Sequence, residues 1–256
     1  MHLVTSAFAL LASAFPVSAL ACTVPADYMP PTNLQLANDA NTIVLGEVVG
    51  GGIGSPADPD APSITVHPIV ALKGLLPGAD FKIGGMSLAE DGAASGADGD
   101  SLAFGAPDPA AMGEDCIRRQ FPLHAQALFF LKRENGEWAP AGGPLSRWAQ
   151  DVTGLDAPWV QLASLYAHAA MMPTEEARQL LEQRHEALVS RPDDPQAAAM
   201  AADLERSLAG PEVPIIARPA AVAPSEAATG AQAPSGQASP DDLGEVRQAI
   251  DSFGKK

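Results

Sequence analysis

The chain has 256 residues, of which only 5% are aromatic, and it carries 23 glycines and 24 prolines. This composition predicts a core of modest size joined to turn-rich and unstructured segments, because few large side chains are there to be buried. The formal net charge of −16, together with the lack of a basic stripe, argues against binding to nucleic acids or to anionic lipids.

The first residues of the chain have the pattern of a secretion signal. Residues 3–20 contain no charged side chain, and the segment closes with Ala19-Leu20-Ala21, the small-x-small pattern that signal peptidases cut. We therefore predict a signal peptide over residues 1–21 and a mature protein exported to the periplasm or the extracellular space. Two alternatives stay open: an uncleaved membrane anchor, and attachment of a lipid to Cys22, which would tether the protein to a membrane.

The mature chain would keep two cysteines, Cys22 and Cys116. An even number of cysteines in an exported chain usually means pairing, so we predict a Cys22–Cys116 disulfide that fixes the N-terminus to the folded body. A zinc or redox site finds little support, because neither cysteine has a CxxC partner and the histidines lack the spacing of ligands. These histidines are His67, His124, His168 and His185. The sequence thus predicts no intrinsic metal and no cofactor.

Four segments in the first half of the chain have the β-branched, apolar or alternating composition of strands. They are residues 42–49, 63–72, 81–83 and 125–131. Pro68, which cannot donate to a β-ladder, predicts an edge or a bulge in the second strand. Asn135-Gly136 follows the fourth strand and predicts a tight hairpin turn. No helical period separates the strands, which favours a small all-β barrel or sandwich.

Residues 90–113 are rich in glycine, alanine, aspartate and proline, and they predict a long mobile loop with little to bury. Asp91, Asp98 and Asp100 in this segment have some likeness to a calcium-binding loop. Their spacing lacks the terminal glutamate and the regular alternation of such loops. We therefore predict a solvated acidic loop and not a metal site.

After Trp148 the sequence changes to a helical period and predicts a pair of helices over residues 155–190. Asp156 is the expected N-cap of the first helix, with Pro158 in its first turn. Thr174 is the expected N-cap of the second helix, and acidic residues follow it at the positive end of the helix dipole. The apolar stripes of both helices predict packing surfaces and not a ligand box.

No aromatic residue occurs between Tyr166 and Phe253, and alanine, proline, serine and glycine dominate residues 211–240. We therefore predict a disordered Pro/Ala-rich tail over residues 191–256. Near its end, Asp241 is placed to cap a short amphipathic helix. The apolar residues of this segment are Leu243, Val246, Ile250 and Phe253, and they make it a candidate docking element, although a frayed tail is the simpler interpretation.

The mature chain would open with Cys22-Thr23-Val24-Pro25, and residues 38–50 and 70–83 contain a first strand and then a strand, a Lys-Gly turn and a strand. Cys116 stands shortly before the apolar residues 128–131. Together these features resemble the netrin-like module of tissue inhibitors of metalloproteinases and related secreted bacterial proteins. The resemblance implies an OB-fold barrel over residues 22–154. The predicted fold class is therefore mainly β, with a small OB-fold-like barrel followed by two helices and a disordered tail.

In the tissue inhibitors, the amino group and carbonyl of the first cysteine chelate the catalytic zinc of the protease. The resemblance implies that Cys22 would act in this way if its amino group is free, while Thr23 would enter the specificity pocket of the protease. The chain departs from the family in two respects. Val24 stands where the inhibitors have a second cysteine, and their further disulfides have no counterpart in this sequence.

No Gly-rich phosphate loop, GxSxG elbow or paired-carboxylate spacing stands out in the sequence. We therefore predict a noncatalytic exported module, not an enzyme, that binds an unidentified protein partner or associates with the cell envelope. The alternative is a metalloproteinase inhibitor that acts through Cys22 and has a zinc metalloproteinase as its partner. Contact with a membrane is expected only if Cys22 carries a lipid.

Overall fold

The computed structural model describes residues 24–25, 28–52, 62–89, 101–111 and 116–209. The predicted signal peptide, Cys22, Thr23, the three aspartates of the acidic loop and residues 210–256 of the predicted tail lie outside these ranges. What the sequence indicates for them stays a prediction.

Along the described chain, one helix comes first, eight strands follow it, and three helices come last. The strands are β1 (Thr42–Gly51), β2 (Ser63–Lys73), β3 (Phe81–Gly84), β4 (Ser87–Leu88), β5 (Gln120–Phe121), β6 (Gln126–Glu134), β7 (Glu137–Pro140) and β8 (Ala149–Asp151). The helices are α1 (Asn33–Asp39), α2 (Pro158–Ala170), α3 (Thr174–Val189) and α4 (Pro195–Ala209), and Pro109–Ala111 forms a short 3₁₀ turn.

Five of the strands close into a barrel. β1 pairs antiparallel with β2 and β6, β2 pairs antiparallel with β3, and β7 pairs antiparallel with β6 and parallel with β3. The order around the barrel is therefore β1-β2-β3-β7-β6, with β6 returning to β1, and β8 adds a short strand to β6. A five-stranded closure of this kind is typical of OB-folds. The predicted fold class, mainly β with an OB-fold-like barrel followed by helices, is confirmed.

Neighbouring residues of β1 and β6 belong to two separate cores. Val44 of β1 and Phe129 of β6 belong to a cluster that all five barrel strands contribute to, which we call the barrel core. Ile43 and Phe130 face the other side, where the helices cover them in what we call the helix–sheet core. Side chains of a strand alternate between its two faces, and here both faces are buried. This explains why residues 42–49 are apolar at almost every position.

The predicted irregularity at Pro68 is confirmed. Pro68 pairs with Gly46 of β1, and the register between the two strands shifts between Leu45 and Gly46. A Cβ atom at position 46 would lie 2.5 Å from Cγ1 of Val66, so the close approach of the strands at this point requires glycine. The bulge increases the local bend of β1, which pairs with β2 on one side and with β6 on the other.

The structure corrects the starts of both predicted helices. α2 begins at Pro158 with Ala157 as its N-cap, so Asp156 does not cap it. α3 begins at Thr174 itself, because Pro173 holds the N-cap position. In both cases a proline restricts the backbone at the helix start, and this replaces the side-chain cap that the sequence suggested.

The prediction of a tail starting at residue 191 is wrong for Pro195–Ala209, which form helix α4. The apolar face of α4 is buried in the helix–sheet core and consists of Ala197, Met200, Ala201 and Leu204. Asp194 stabilises the helix start by accepting hydrogen bonds from the backbone amides of Gln196 and Ala197. The prediction failed because it relied on the lack of aromatic residues, whereas alanine, methionine and leucine suffice where helices pack closely.

Residues 101–111 also pack against the helices, contrary to the prediction of a mobile loop over residues 90–113. Phe104 is buried, and its ring lies edge-on to Trp159 of α2 with 4.8 Å between the ring centroids. The indole N–H of Trp159 donates a hydrogen bond to the carbonyl of Ser101 at 2.8 Å. This aromatic pair and this hydrogen bond are among the contacts that anchor the described part of the loop.

Candidate functional site

A groove of about 470 Å³ lies where four helices meet. We call it the interhelical groove, and its walls come from α1, the end of α2, the start of α3 and the last turn of α4. Its apolar lining includes Leu34, Ala170, Met172, Leu181 and Leu208, and its polar lining includes Thr32, Gln35, Asn38 and Arg178. The groove therefore combines apolar side chains with hydrogen-bonding groups of α1 and one cation of α3.

Small side chains line the groove at the end of α2 and the start of α3. Ala169 and Ala170 end α2, and Ala177 lies in the first turn of α3. Larger side chains at these positions would fill the volume between the helices. The connection between α2 and α3, residues 171–173, is short enough to return α3 alongside α2. Sequence and turn length together therefore leave an open cleft at this end of the helices.

Asp203 of α4 fixes the walls of the groove relative to one another. Its carboxylate is fully buried and accepts hydrogen bonds from the side-chain amide of Asn33 on α1, at 3.1 and 3.2 Å. It also accepts a hydrogen bond from the hydroxyl of Tyr166 on α2 at 2.7 Å and pairs with Arg206. Burial, and then the charge of Asp203, raise the pKa of the Tyr166 hydroxyl well above its ordinary value. One carboxylate thus joins three of the four walls.

The polar groups of the groove are held in place by partners within the protein. Thr32 and Gln35 form a capping box in which the amide of Gln35 donates to Oγ1 of Thr32 at 3.2 Å and the amide of Thr32 donates to Oε1 of Gln35 at 2.9 Å. Arg178 is exposed and pairs with Glu182 at 2.8 Å. None of the described residues that line the groove is a histidine, a cysteine or a carboxylate. The arrangement can hold apolar side chains and orient polar neighbours at its edge.

The N-terminal segment lies against the barrel near Cys116. Val24 packs against a small buried cluster formed by Cys116, Ala111 and Leu145. The hydroxyl of Tyr28 donates a hydrogen bond to the carbonyl of Pro144 at 2.7 Å. These contacts bring the chain two residues after Cys22 beside the other cysteine, whereas the predicted inhibitory residues Cys22 and Thr23 themselves lie outside the described residues.

A buried polar cluster connects the segment after Cys116 to β8. Arg118 pairs with Asp151 of β8 at 2.7 Å, and both side chains are buried. Arg147 donates a hydrogen bond to the side-chain oxygen of Gln150 at 2.6 Å. Because the cluster is closed to solvent, we assign it a structural role and not a binding role.

Asp108 gives this cluster a pH dependence that replacement by asparagine should remove. The burial of the Asp108 carboxyl raises its pKa above the ordinary value of 3.8, and a hydrogen bond from the Ala110 amide and the charges of Arg118 and Arg147 lower it only in part. As the pH rises, the Asp108 carboxyl therefore loses its proton at a lower pH in the unfolded chain than in the folded protein. The stability that the protonated Asp108 contributes is present below pH 3.8 and is lost as the pH rises through the folded pKa.

We expect Asp108→Asn to gain stability relative to the native protein as the pH rises from acidic to neutral. Asparagine keeps an oxygen to accept the Ala110 amide at 2.9 Å and has no charge to bury. Urea denaturation of both proteins at a series of pH values measures this difference. A difference in stability that stays constant with pH would contradict the expectation.

Two of the four histidines that the sequence analysis considered as metal ligands pair with carboxylates on the exposed outer surface of the barrel. Nδ1 of His67 lies 2.7 Å from Asp80, and Nδ1 of His124 lies 3.0 Å from Glu47. His168 and His185 are on α2 and α3, away from both pairs in the sequence. Among the residues that the structure describes, no group of three histidine, cysteine or carboxylate side chains is arranged to hold a metal ion. The lack of a cofactor stays a prediction.

Comparison of the chain with protein-family models, with curated proteins and with solved structures found no match. The resemblance to the netrin-like module therefore stays a prediction. In the described part of the chain, no helix is both long and apolar enough to cross a membrane.

The sequence did not predict the interhelical groove, because its residues come from four helices, one of which, α1, is more than 100 positions away from the other three. One local signal was available: Thr32 and Gln35 have the spacing of a capping box and mark the start of α1. Cys116, the predicted disulfide partner of Cys22, lies beside Val24 of the N-terminal segment, and the pairing itself stays a prediction.

Proposed function

We propose that the protein is an exported, noncatalytic module that binds an apolar segment of a protein partner in the interhelical groove. The observation that carries this proposal is the groove itself, with its apolar lining and its polar groups from α1 and α3. Its volume of about 470 Å³ is in the range of roughly 300–1,000 Å³ that binding pockets occupy. The buried Asp203 network supports the proposal because it holds the walls in place before a partner arrives.

Site-specific photo-crosslinking in the full chain tests this function. A benzophenone amino acid at Arg178, in the groove, is expected to give a distinct adduct with one protein of an envelope extract. The same amino acid at Gln183, which is exposed on α3 outside the groove, is the matched control and should not give it. Ala177→Phe, which fills the groove, should abolish the adduct. An adduct that forms equally at Gln183 or that survives Ala177→Phe would contradict the proposal.

Export and anchoring of the N-terminus form the second part of the proposal. We place the mature start at Cys22 and pair this residue with Cys116, a pairing supported by the packing of Val24 against Cys116. Mass spectrometry of the intact purified protein, with and without reduction, shows whether the leader has been removed, whether a lipid is attached and whether the disulfide has formed. Retention of the leader or two free thiols without reductant would overturn this part.

A second candidate function is inhibition of zinc metalloproteinases through Cys22. It is favoured by the contacts of Val24 and Tyr28, which would present a free amino group at residue 22 from a fixed segment. The mature protein should then inhibit members of a panel of zinc endopeptidases, and a variant with one extra alanine before Cys22 should not. No inhibition at micromolar concentration, or equal inhibition by the extended variant, would exclude this function.

A further inference from the structure

The last turn of α4 brings the rest of the chain to the interhelical groove. Ser207 and Leu208 line the groove, and the described part of the chain ends at Ala209, one residue later. Residues 210–256 therefore start at the edge of the groove. Any segment of this tail that suits the groove is held near it by a covalent connection.

Residues 241–253 are the part of the tail that has a suitable pattern. Leu243, Val246, Ile250 and Phe253 are separated by three, four and three positions, so a helix over this segment would carry all four on one face. Grooves between helices commonly bind amphipathic segments with this spacing of anchors. The apolar lining of the groove is contributed by side chains of similar type, including Leu34, Leu181 and Leu208.

The connection between α4 and this segment is long enough for docking. Residues 211–240 are rich in proline, alanine, glycine and serine. A chain of about 30 residues spans up to roughly 100 Å when extended, which is enough to return residues 241–253 to the groove. A covalent connection makes this docking intramolecular, so even weak affinity is enough for occupancy.

We propose that residues 241–253 dock as an amphipathic helix in the interhelical groove of the same chain and compete there with the partner. This inference rests on the proposed function of the groove as a binding surface. The segment is acidic, with Asp242 and Glu245 near its start, and the exposed cation of the groove, Arg178, can approach these carboxylates. The protein therefore carries its own competitor, and a partner must displace it.

Methyl NMR of the full chain measures this docking without any partner. The signal of Met172, whose side chain lines the groove, is expected to move in the double variant Ile250→Asp/Phe253→Asp and to keep its native position in Gln248→Asp/Ser252→Asp. The control pair adds the same charge on the opposite side of the helix. A synthetic peptide of residues 241–253 added to Ile250→Asp/Phe253→Asp should restore the native position of the signal.

Three results would overturn the inference: a Met172 signal that is the same in all variants, an equal change in both double variants, or a change that depends on protein concentration. The last result would place a second copy of the chain in the groove. If the inference holds, the photo-adduct at Arg178 increases at least about fivefold in Ile250→Asp/Phe253→Asp, because an intramolecular competitor is removed. If the Met172 signal moves as expected but no adduct forms at Arg178, the proposed function is wrong and this inference stands. If the adduct forms but the Met172 signal does not move, this inference is wrong and the proposed function stands.

Discussion

Replacement of Asp203 by alanine is expected to lower the free energy of unfolding by about 3 kcal/mol or more, because it removes the shared acceptor of a buried network. The amide of Asn33 and the hydroxyl of Tyr166 would both lose the carboxylate that they donate to, at 3.1 and 2.7 Å. Each donor would remain in the protein interior with fewer acceptors, since Asn33 would keep the carbonyl of Phe104 at 3.0 Å and Tyr166 would keep the hydroxyl of Ser207 at 3.1 Å. Arg206 would lose its ion-pair partner as well.

Urea denaturation followed by circular dichroism measures this effect. Glu205→Ala is the control, because Glu205 is an exposed carboxylate on the same helix, and the gain in helix propensity on change to alanine is larger for aspartate than for glutamate, so it cannot explain a larger loss at position 203. We expect the control to leave stability nearly unchanged. Equal effects of the two substitutions would show that Asp203 does not connect the helices. A large loss for Asp203→Ala also predicts weaker photo-crosslinking at Arg178, since the walls of the groove would no longer be fixed.

The strands of the barrel could be predicted from the sequence because their burial is nearly complete. A strand that is covered on both faces needs apolar residues at consecutive positions, and residues 42–49 meet that need directly. The hairpin at Asn135-Gly136 was equally visible, and both residues have the positive φ values, 52° and 86°, that such a turn requires. Local sequence preferences were sufficient to predict these elements because they agree with the final fold.

Helix α4 was missed because its stability depends on contacts between distant parts of the chain. Its face of alanine, methionine and leucine looks ordinary in the sequence. It becomes a core surface only when α1, α2 and α3 are already beside it, and Asp203 looks like a solvated charge until Asn33 and Tyr166 surround it. Composition alone therefore placed the start of the tail about one helix too early.

The groove and the buried polar cluster could not be predicted for the same reason. Arg118 and Asp151 are 33 positions apart, and neither stands in a recognisable motif. Arg118 and Asp151 meet because β8 pairs with β6 in the observed register, and a strand of three residues is too short to be predicted from the sequence. Motif spacing reveals sites that are built within one element, whereas these are built between elements.

Arg118 and Asp151 therefore allow a strong prediction that only the structure could suggest. We expect Arg118→Met to lower the free energy of unfolding by about 3–5 kcal/mol, because the carboxylate of Asp151 would be left buried and uncompensated. The two groups are 2.7 Å apart and their side chains are only 2% and 9% exposed. The guanidinium also lies 4.3 Å from the centroid of the Phe121 ring, a contact that methionine keeps in part through its apolar stem.

A double-mutant cycle separates the ion pair from the packing. The double variant Arg118→Met/Asp151→Leu should be more stable than Arg118→Met alone, since it removes the unpaired charge and leaves apolar groups of comparable size. Arg178→Met is the surface control, and we expect little change from it because the pair of Arg178 with Glu182 is exposed to solvent. Urea denaturation gives the free energies of unfolding of the native protein, Arg118→Met, Asp151→Leu, the double variant and the control, which the cycle compares. If the double variant is less stable than Arg118→Met, the unpaired carboxylate of Asp151 does not cause the loss, and the desolvation argument on which this prediction depends is wrong for this protein.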